Sequence, residues 1–204
     1  MREQEMIRVD LHLHTKFSGD AQISPKQIVN ELHAHPFIKG VAITDHNTLQ
    51  GYFQVRKLAE PLEDLVIIPG IEVATPDGEL ILLGVEETPR HPLTVQEVIA
   101  FAHENAAVIV LPHPYREKGG LRSLAEKTQA HAIEVFNPSS TPEENRMAEE
   151  LAKARNLPGV AGSDAHELSQ LWAAYTEVEA ESSVDRILEA IRRGHVKPVA
   201  STKI

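Results

Sequence analysis

The 204-residue chain contains no cysteine. Disulfide bonds and thiolate metal ligands are therefore excluded. Any bound metal must be held by histidine, carboxylate, amide or water ligands. The absence of disulfides fits a cytoplasmic location.

Long apolar segments and an excess of positive charge are also missing. No stretch approaches the roughly 20 apolar residues that cross a bilayer, and the charged segment Met1–Met6 lacks the apolar core of a signal peptide. We therefore expect a cytoplasmic protein without membrane contact.

The chain has 20 Lys and Arg against 30 Asp and Glu, a formal net charge of -10. This balance disfavours a broad surface for binding nucleic-acid phosphates.

What remains is an ordinary globular composition, with 42% hydrophobic and 25% charged residues. The length suits one domain with a substantial core, so we predict a single domain over residues 1–204. Strand-like and helix-like patterns alternate along the chain, which predicts an α/β fold with a mostly parallel sheet or barrel.

The segment Asp10-Leu11-His12-Leu13-His14 continues a predicted buried strand. The two-residue period of a strand places the leucines on one face and Asp10, His12 and His14 on the other. Polar groups on an inner face cost free energy unless they are paired or bound. Imidazole and carboxylate are common metal ligands, so a metal site is one interpretation. Two surface histidines on an edge strand are the alternative.

Further metal-competent residues favour the metal site, because they also follow predicted strands. In a parallel barrel the carboxyl ends of the strands share one mouth. Scattered surface residues would have no reason to choose that end repeatedly. The residues at these positions are His12, His14, Asp45, His46, Glu72, His113, Asn137, Asp164 and His166.

Six segments carry a more specific signal: Asp10–Thr15, Thr44–Asn47, Pro69–Glu72, His113–Pro114, Glu134–Asn137 and Gly162–His166. In this order they resemble the PHP (polymerase and histidinol phosphatase) family over essentially the whole chain. The resemblance implies a distorted (β/α)7 barrel. It also implies two to three divalent metal ions (manganese, iron or zinc) and hydrolysis of phosphate esters.

The same resemblance assigns metal ligands to this chain. The first metal would be held by His12, His14, Glu72 and Asp164. The third would be held by Asp20, His46 and His166. The second would share Glu72 as a bridge and take His113.

The second site departs from the family pattern. Many members have a histidine after the bridging glutamate, in a segment like Glu-Val-His-Leu-Leu-Gly. This chain reads Glu79-Leu80-Ile81-Leu82-Leu83-Gly84, so Ile81 replaces that histidine. Either water or substrate fills the gap, or the second site is weak or empty.

Asp45, Arg116 and His166 are the candidate catalytic residues. Asp45 adjoins His46 and would orient a ring nitrogen or transfer a proton. Arg116 follows His113 on a loop and would bind a phosphate oxygen, with a solvated loop arginine as the alternative. Asp10 is expected to support a ligand histidine, and Glu134 to be an inward-facing structural partner.

The leading functional hypothesis is a metal-dependent phosphoesterase acting on a small soluble phosphorylated molecule. A nuclease is the alternative within the same chemistry, and it requires a basic strip for which Lys16, Arg116, Lys118 and Arg122 are the candidates. A catalytically weak metal-binding regulatory domain is a third possibility, and amide-bond hydrolysis a fourth.

Overall fold

The computed structural model describes residues 5–90 and 93–201, which form one mixed sheet surrounded by helices. The strands are β1 (Ile7–Asp10), β2 (Ile38–Ile43), β3 (Val66–Thr75), β4 (Gly78–Leu83), β5 (Val108–Leu111), β6 (Ala132–Phe136), β7 (Gly159–Ala161), β8 (Ala174–Val178) and β9 (Val196–Ala200). The helices are α1 (Pro25–Ala34), α2 (Gln50–Ala59), α3 (Val95–Glu104), α4 (Pro142–Arg155) and α5 (Val184–Arg193), with short 3-10 helices at Arg122–Glu126 and Leu168–Gln170.

The strand order is β7-β6-β5-β4-β3-β2-β1-β8-β9. Strand β2 pairs in parallel with β1 and β3, and β6 pairs in parallel with β5 and β7. The pairs β3–β4, β4–β5, β1–β8 and β8–β9 are antiparallel. The sheet is thus less parallel than the sequence predicts. A two-residue connection such as the one between β3 and β4 permits only antiparallel pairing.

Hydrogen bonds between β7 and β8 bring the two ends of the sheet together. The backbone N–H of Ala161 donates to Oγ1 of Thr176, and that hydroxyl donates to the carbonyl of Ala161, both at 2.9 Å. Leu13 and Ala165 also form a parallel bridge just beyond β1 and β7. The sheet therefore curls into a nearly closed barrel, and the predicted distorted barrel is confirmed.

Helix α5 closes the end of the barrel opposite the predicted site. Its buried Ile187 and Ile191 belong to the same apolar cluster as Val66 and Val108, which begin β3 and β5. Gly194, with φ of +76°, ends this helix in the left-handed conformation that glycine commonly adopts there. Among the described residues, the structure has no helix long and apolar enough to cross a membrane.

Candidate metal centre

The opposite end of the barrel gathers the predicted ligands in one buried cluster. His12 and His14 follow β1, His113 follows β5, and Asp164 follows β7. Glu72 lies within β3, opposite Ile81 of β4. All of these side chains except Ile81 carry a metal-binding atom, and each residue is at most 2% exposed.

Four atoms define the first cluster: Nε2 of His12, Nε2 of His14, Oε2 of Glu72 and Oδ1 of Asp164. The two Nε2 atoms are 3.1 Å apart, and each lies 3.2–3.3 Å from both oxygens. Imidazole nitrogens and carboxylate oxygens are the usual protein ligands of zinc and related divalent ions, and five of the six distances among these four atoms are 3.1–3.3 Å. This donor set therefore fits a divalent cation.

The ring orientation of both histidines agrees with this fit. Nδ1 of His12 lies 3.0 Å from Oε1 of Glu134, and Nδ1 of His14 lies 2.8 Å from Oγ of Ser18. A partner at Nδ1 orients each ring and turns its Nε2 atom toward the cluster. Glu134 has the inward-facing position that the sequence predicts.

Glu72 connects the first cluster to the second. Its Oε2 faces His12 and His14, while its Oε1 lies 3.0 Å from Nε2 of His113. Burial by itself would raise the pKa of Glu72, but the surrounding His12, His113 and His14 hold it well below its usual range. The carboxylate thus stays charged and offers one oxygen to each side.

A third cluster lies nearer the surface. Oδ2 of Asp20 is 3.3 Å from Nε2 of His46 and 3.5 Å from Nε2 of His166. Nδ1 of His166 donates to the carbonyl of Asp164 at 2.9 Å, which leaves its Nε2 available. The side chain of Asp20 is 53% exposed, so this cluster is open to solvent.

The pKa shifts of the clustered residues show that this part of the barrel favours a positive charge. Burial would lower the pKa of His14, but hydrogen bonds with Asp164 and Glu72 outweigh it and raise the pKa to about 9. The pKa of Asp164 is held well below its usual range, since His12 and His14 overcome the opposite effect of burial. Protons on the histidines therefore balance the carboxylates here, and a cation would replace them.

Two ligand candidates have strained backbones. The φ angles of Asp164 and His113 are +51° and +28°, a region that non-glycine residues seldom occupy. Asp164 is held by a 2.7 Å hydrogen bond from its N–H to the carbonyl of His12, and the N–H of His113 donates to Oε2 of Glu134 at 2.8 Å. Such conformations concentrate at functional sites.

Asp45, predicted to orient a ring nitrogen of His46 or to transfer a proton, contacts Thr15. Its buried carboxylate accepts hydrogen bonds from N–H and Oγ1 of Thr15, at 2.6 and 2.7 Å. It therefore ties the segment after β1 to the segment after β2 and does not orient the ring of His46. Asp10 likewise accepts from the backbone N–H of His12 and Ser163, not from an imidazole.

Arg116 and Asn137 both reach Asp164. Nη1 of Arg116 is 2.6 Å and Nδ2 of Asn137 is 3.2 Å from Oδ2 of Asp164, while Oδ1 faces the first cluster. Arg116 also lines a mouth cavity of about 570 Å³, shared with His166 and Lys118. The candidate basic residues Lys16 and Arg122 do not line this cavity. Five carboxylates do: Asp20, Glu79, Glu117, Glu144 and Asp164.

Glu79 also belongs to the site, although it is not among the predicted site residues. Its Oε2 lies 3.7 Å from Nε2 of His113 and 4.0 Å from Nη2 of Arg116. Burial and the charge of Glu72 raise the pKa of Glu79. The two-residue period of a strand could have identified Glu79. Residues 79 and 81 lie on the same face of β4, and position 81 is where the family pattern has a histidine.

Comparisons with known proteins agree with this architecture. A family model described as PHP-associated matches residues 142–196. Two uncharacterized proteins of Methanocaldococcus jannaschii are similar to the chain: MJ1587 is 34% identical over 64% of this chain and 82% of its own length, and MJ0417 is 32% identical over 88% and 75%.

Solved structures share the fold at lower identity. PsfC from Pseudomonas syringae is 19% identical with a TM-score of 0.68, over 97% of this chain and 93% of its own. An amidohydrolase from Chromobacterium violaceum, with bound sulfate and no metal, is 16% identical with a TM-score of 0.64, over 79% and 88%. A protein from Bifidobacterium adolescentis described as a metal-dependent phosphoesterase is 17% identical with a TM-score of 0.64, over 78% and 87%. Together with the order of the six motifs, the matched model and the two relatives identify this chain as a member of the PHP family.

Proposed function

We propose that this protein is a metal-dependent phosphoesterase that hydrolyses a phosphate ester of a small soluble molecule in the cytoplasm. The single observation that carries the proposal is the position of Glu72. One oxygen of this buried carboxylate faces the His12 and His14 pair, and the other faces His113. A carboxylate bridging two divalent ions is a typical arrangement for in-line displacement at phosphorus.

The proposal includes two to three ions per chain, with manganese, iron or zinc as candidates, and the donor sets support it. His12, His14, Glu72 and Asp164 would hold one, and Asp20, His46 and His166 another, with His113 and Glu72 contributing to the site between them. Bound ions would neutralise phosphoryl oxygens and lower the pKa of a coordinated water toward neutrality.

The protein's own residues supply positioning. Glu134 and Ser18 orient the rings of His12 and His14. Arg116 places a guanidinium at the mouth, where its fork of N–H donors is suited to the oxygens of a phosphate group. His166 would act as a ligand through Nε2 and not as a proton donor, because its Nδ1 already donates to the carbonyl of Asp164.

The mouth favours a small substrate over a polymer. Its cavity of about 570 Å³ is within the range typical of small-molecule sites. Five acidic side chains line the cavity against the two basic residues Arg116 and Lys118, and they would repel the continuous phosphate backbone of a nucleic acid.

The test is turnover by purified protein stripped of metal and then loaded separately with Mn²⁺, Fe²⁺ or Zn²⁺. We expect hydrolysis of p-nitrophenyl phosphate or of a nucleoside monophosphate with at least one of these metals, and none after chelation. Activity on single-stranded DNA ends, with binding that falls steeply with salt, would favour the nuclease instead. Absence of turnover on a broad phosphate panel with every metal would refute the proposal.

A further inference from the structure

We infer that Glu79 supplies the protein ligand that the second metal site would otherwise lack because Ile81 stands in place of a histidine. The inference rests on the metal-binding part of the proposed function. It follows from the course of β4, from the surroundings of the Glu79 carboxylate, and from the glycine that packs against it.

Strand β4 runs antiparallel to both of its neighbours, β3 and β5. Its amino end, not its carboxyl end, therefore faces the mouth of the barrel. Ile81 pairs with Glu72 and is buried in the apolar interior, while Glu79 pairs with Ala74 two residues nearer the mouth. Residues 79 and 81 share one face of the strand, so both side chains point toward the barrel axis.

The carboxylate of Glu79 reaches the second cluster from this position. Glu72, Glu79 and His46 each offer one ligand atom, and these atoms lie within 4.8 Å of one another. Nε2 of His113 lies 3.0 Å from Oε1 of Glu72 and 3.7 Å from Oε2 of Glu79. The ring of His113 is buried beside both carboxylates, since the residue is only 2% exposed. Oε2 of Glu79 is buried without a hydrogen-bond donor.

The missing side chain at Gly119 leaves the space that this carboxylate occupies. The carbonyl of Gly119 accepts a 2.8 Å hydrogen bond from the N–H of Glu79. A Cβ atom at Gly119 would lie 1.9 Å from Oε2 of Glu79 and 3.3 Å from Cε1 of His113, so any larger residue would displace the carboxylate. The loop after His113 thus leaves room for an acidic side chain of this length beside the imidazole.

The arrangement gives the second site three protein donors: Glu72, His113 and Glu79. With Ile81 at the histidine position, the third donor is a carboxylate, and oxygen donors suit manganese better than nitrogen donors do. The site is therefore not left to water or substrate alone.

The experiment compares metal content and spin coupling in the full-length protein and its Glu79→Gln variant, each loaded with Mn²⁺ and desalted. Elemental analysis counts ions per chain, and electron paramagnetic resonance detects coupled Mn²⁺ pairs. We expect Glu79→Gln to retain one ion fewer per chain and to lose the coupled signal. Glu117→Gln, which removes an exposed carboxylate from the same cavity, is the matched control and should change neither readout.

A rescue variant distinguishes the loss of a metal ligand from damage to the fold. Ile81→His introduced into the Glu79→Gln protein places an imidazole opposite Glu72 and should restore the missing ion. The same Ile81→His change in the wild-type background should add none, since Glu79 already fills the position. Equal ion counts and coupling in wild type and Glu79→Gln would overturn the assignment of Glu79 alone. A wild-type protein that binds no divalent ion would overturn the proposed function as well.

Discussion

Nδ1 of His12 lies 3.0 Å from Oε1 of Glu134. The other oxygen of Glu134 accepts hydrogen bonds from the N–H of His113 and from Nδ2 of Asn137. Both oxygens therefore face donors, and only a carboxylate satisfies all three. One buried side chain in β6 thus controls the orientation of a ligand in the first cluster and of a ligand in the second.

We predict that Glu134→Gln weakens metal binding by about 10- to 100-fold, the usual loss when a partner of a ligand histidine is removed. In either orientation the amide NH₂ of glutamine would face an N–H donor. Titration of the metal-free protein with Mn²⁺ measures the effect. Glu31→Gln, an exposed change on α1, should leave the affinity unaltered. Equal affinity in both variants would show that Glu134 does not orient His12.

The ligands themselves make a stronger prediction. His12→Ala, Glu72→Ala and Asp164→Ala should each reduce metal-loaded phosphoesterase activity by more than about 100-fold, beyond the loss typical of outer partners. Circular dichroism should show a retained fold, because most of the apolar core does not contact these side chains. His103→Ala, on the exposed face of α3, should alter neither property. If His103→Ala abolished turnover, the assigned site would be wrong.

Much of this architecture follows from local sequence signals. Ser24 and Thr141 are the N-caps of α1 and α4, and each is followed by proline at the first helical position, a pattern that indicates a helix start in the sequence alone. The order of strands and helices is also predicted, apart from β9. Strand β9 is half-exposed and contains Pro198, and neither feature gives the alternating pattern of a typical strand.

The features of the site that the sequence does not predict depend on contacts between residues far apart in the chain. Asp45 lies beside His46 in the chain, yet Thr15 from another segment occupies its carboxylate. The rule that sites form at the carboxyl ends of strands does not point to Glu79, because it holds for parallel strands and β4 is antiparallel. Neither relationship is visible until the register of the sheet is known.

The stability of the metal-free protein should depend on pH through His14. Its pKa is raised from 6.5 to about 9, so its stabilising contribution is complete below about pH 6.5 and is lost as the pH rises through 9. A shift of this size corresponds to about 3 kcal/mol in the free energy of unfolding. The raised pKa of His12 acts in the same direction.

Urea denaturation in the presence of a chelator, at several values between pH 6.5 and 9, measures this dependence. His14→Gln should flatten the alkaline decline. Saturating Mn²⁺ should reverse it, because metal binding competes with protons for the same nitrogen atoms. A metal-free protein whose stability stays constant or increases over this range would contradict the protonated state inferred for His14.

Gly162 sets the distance between β7 and the first cluster. A Cβ atom there would lie 2.4 Å from Cβ of His12 and 2.6 Å from its backbone nitrogen. We expect Gly162→Ala to destabilise the protein by about 1–3 kcal/mol, as overpacking does, and to weaken metal binding by displacing His12. Gly19→Ala is the control, since nothing lies within 4 Å of its added methyl group. It should leave metal affinity intact despite some backbone strain at φ of +89°.

Arg116 offers the last prediction, because its guanidinium is shared between a ligand and the mouth. It pairs with Oδ2 of Asp164 at 2.6 Å, and that oxygen points away from the first cluster. Arg116→Ala should therefore raise the KM for a phosphate monoester by about tenfold or more, the scale of one lost charge-assisted interaction. Inhibition by inorganic phosphate should weaken in parallel.

Arg116→Lys separates substrate binding from support of Asp164. Lysine keeps the charge but loses the planar fork, so it should still neutralise Asp164 while binding phosphate less well. We expect normal metal content and an intermediate KM. If instead both Arg116 variants lost metal while KM stayed constant in the molecules that remained loaded, Arg116 would act only by holding Asp164. The guanidinium would then have no part in recognising the substrate, and the anionic group would have to be bound by the metal centre alone.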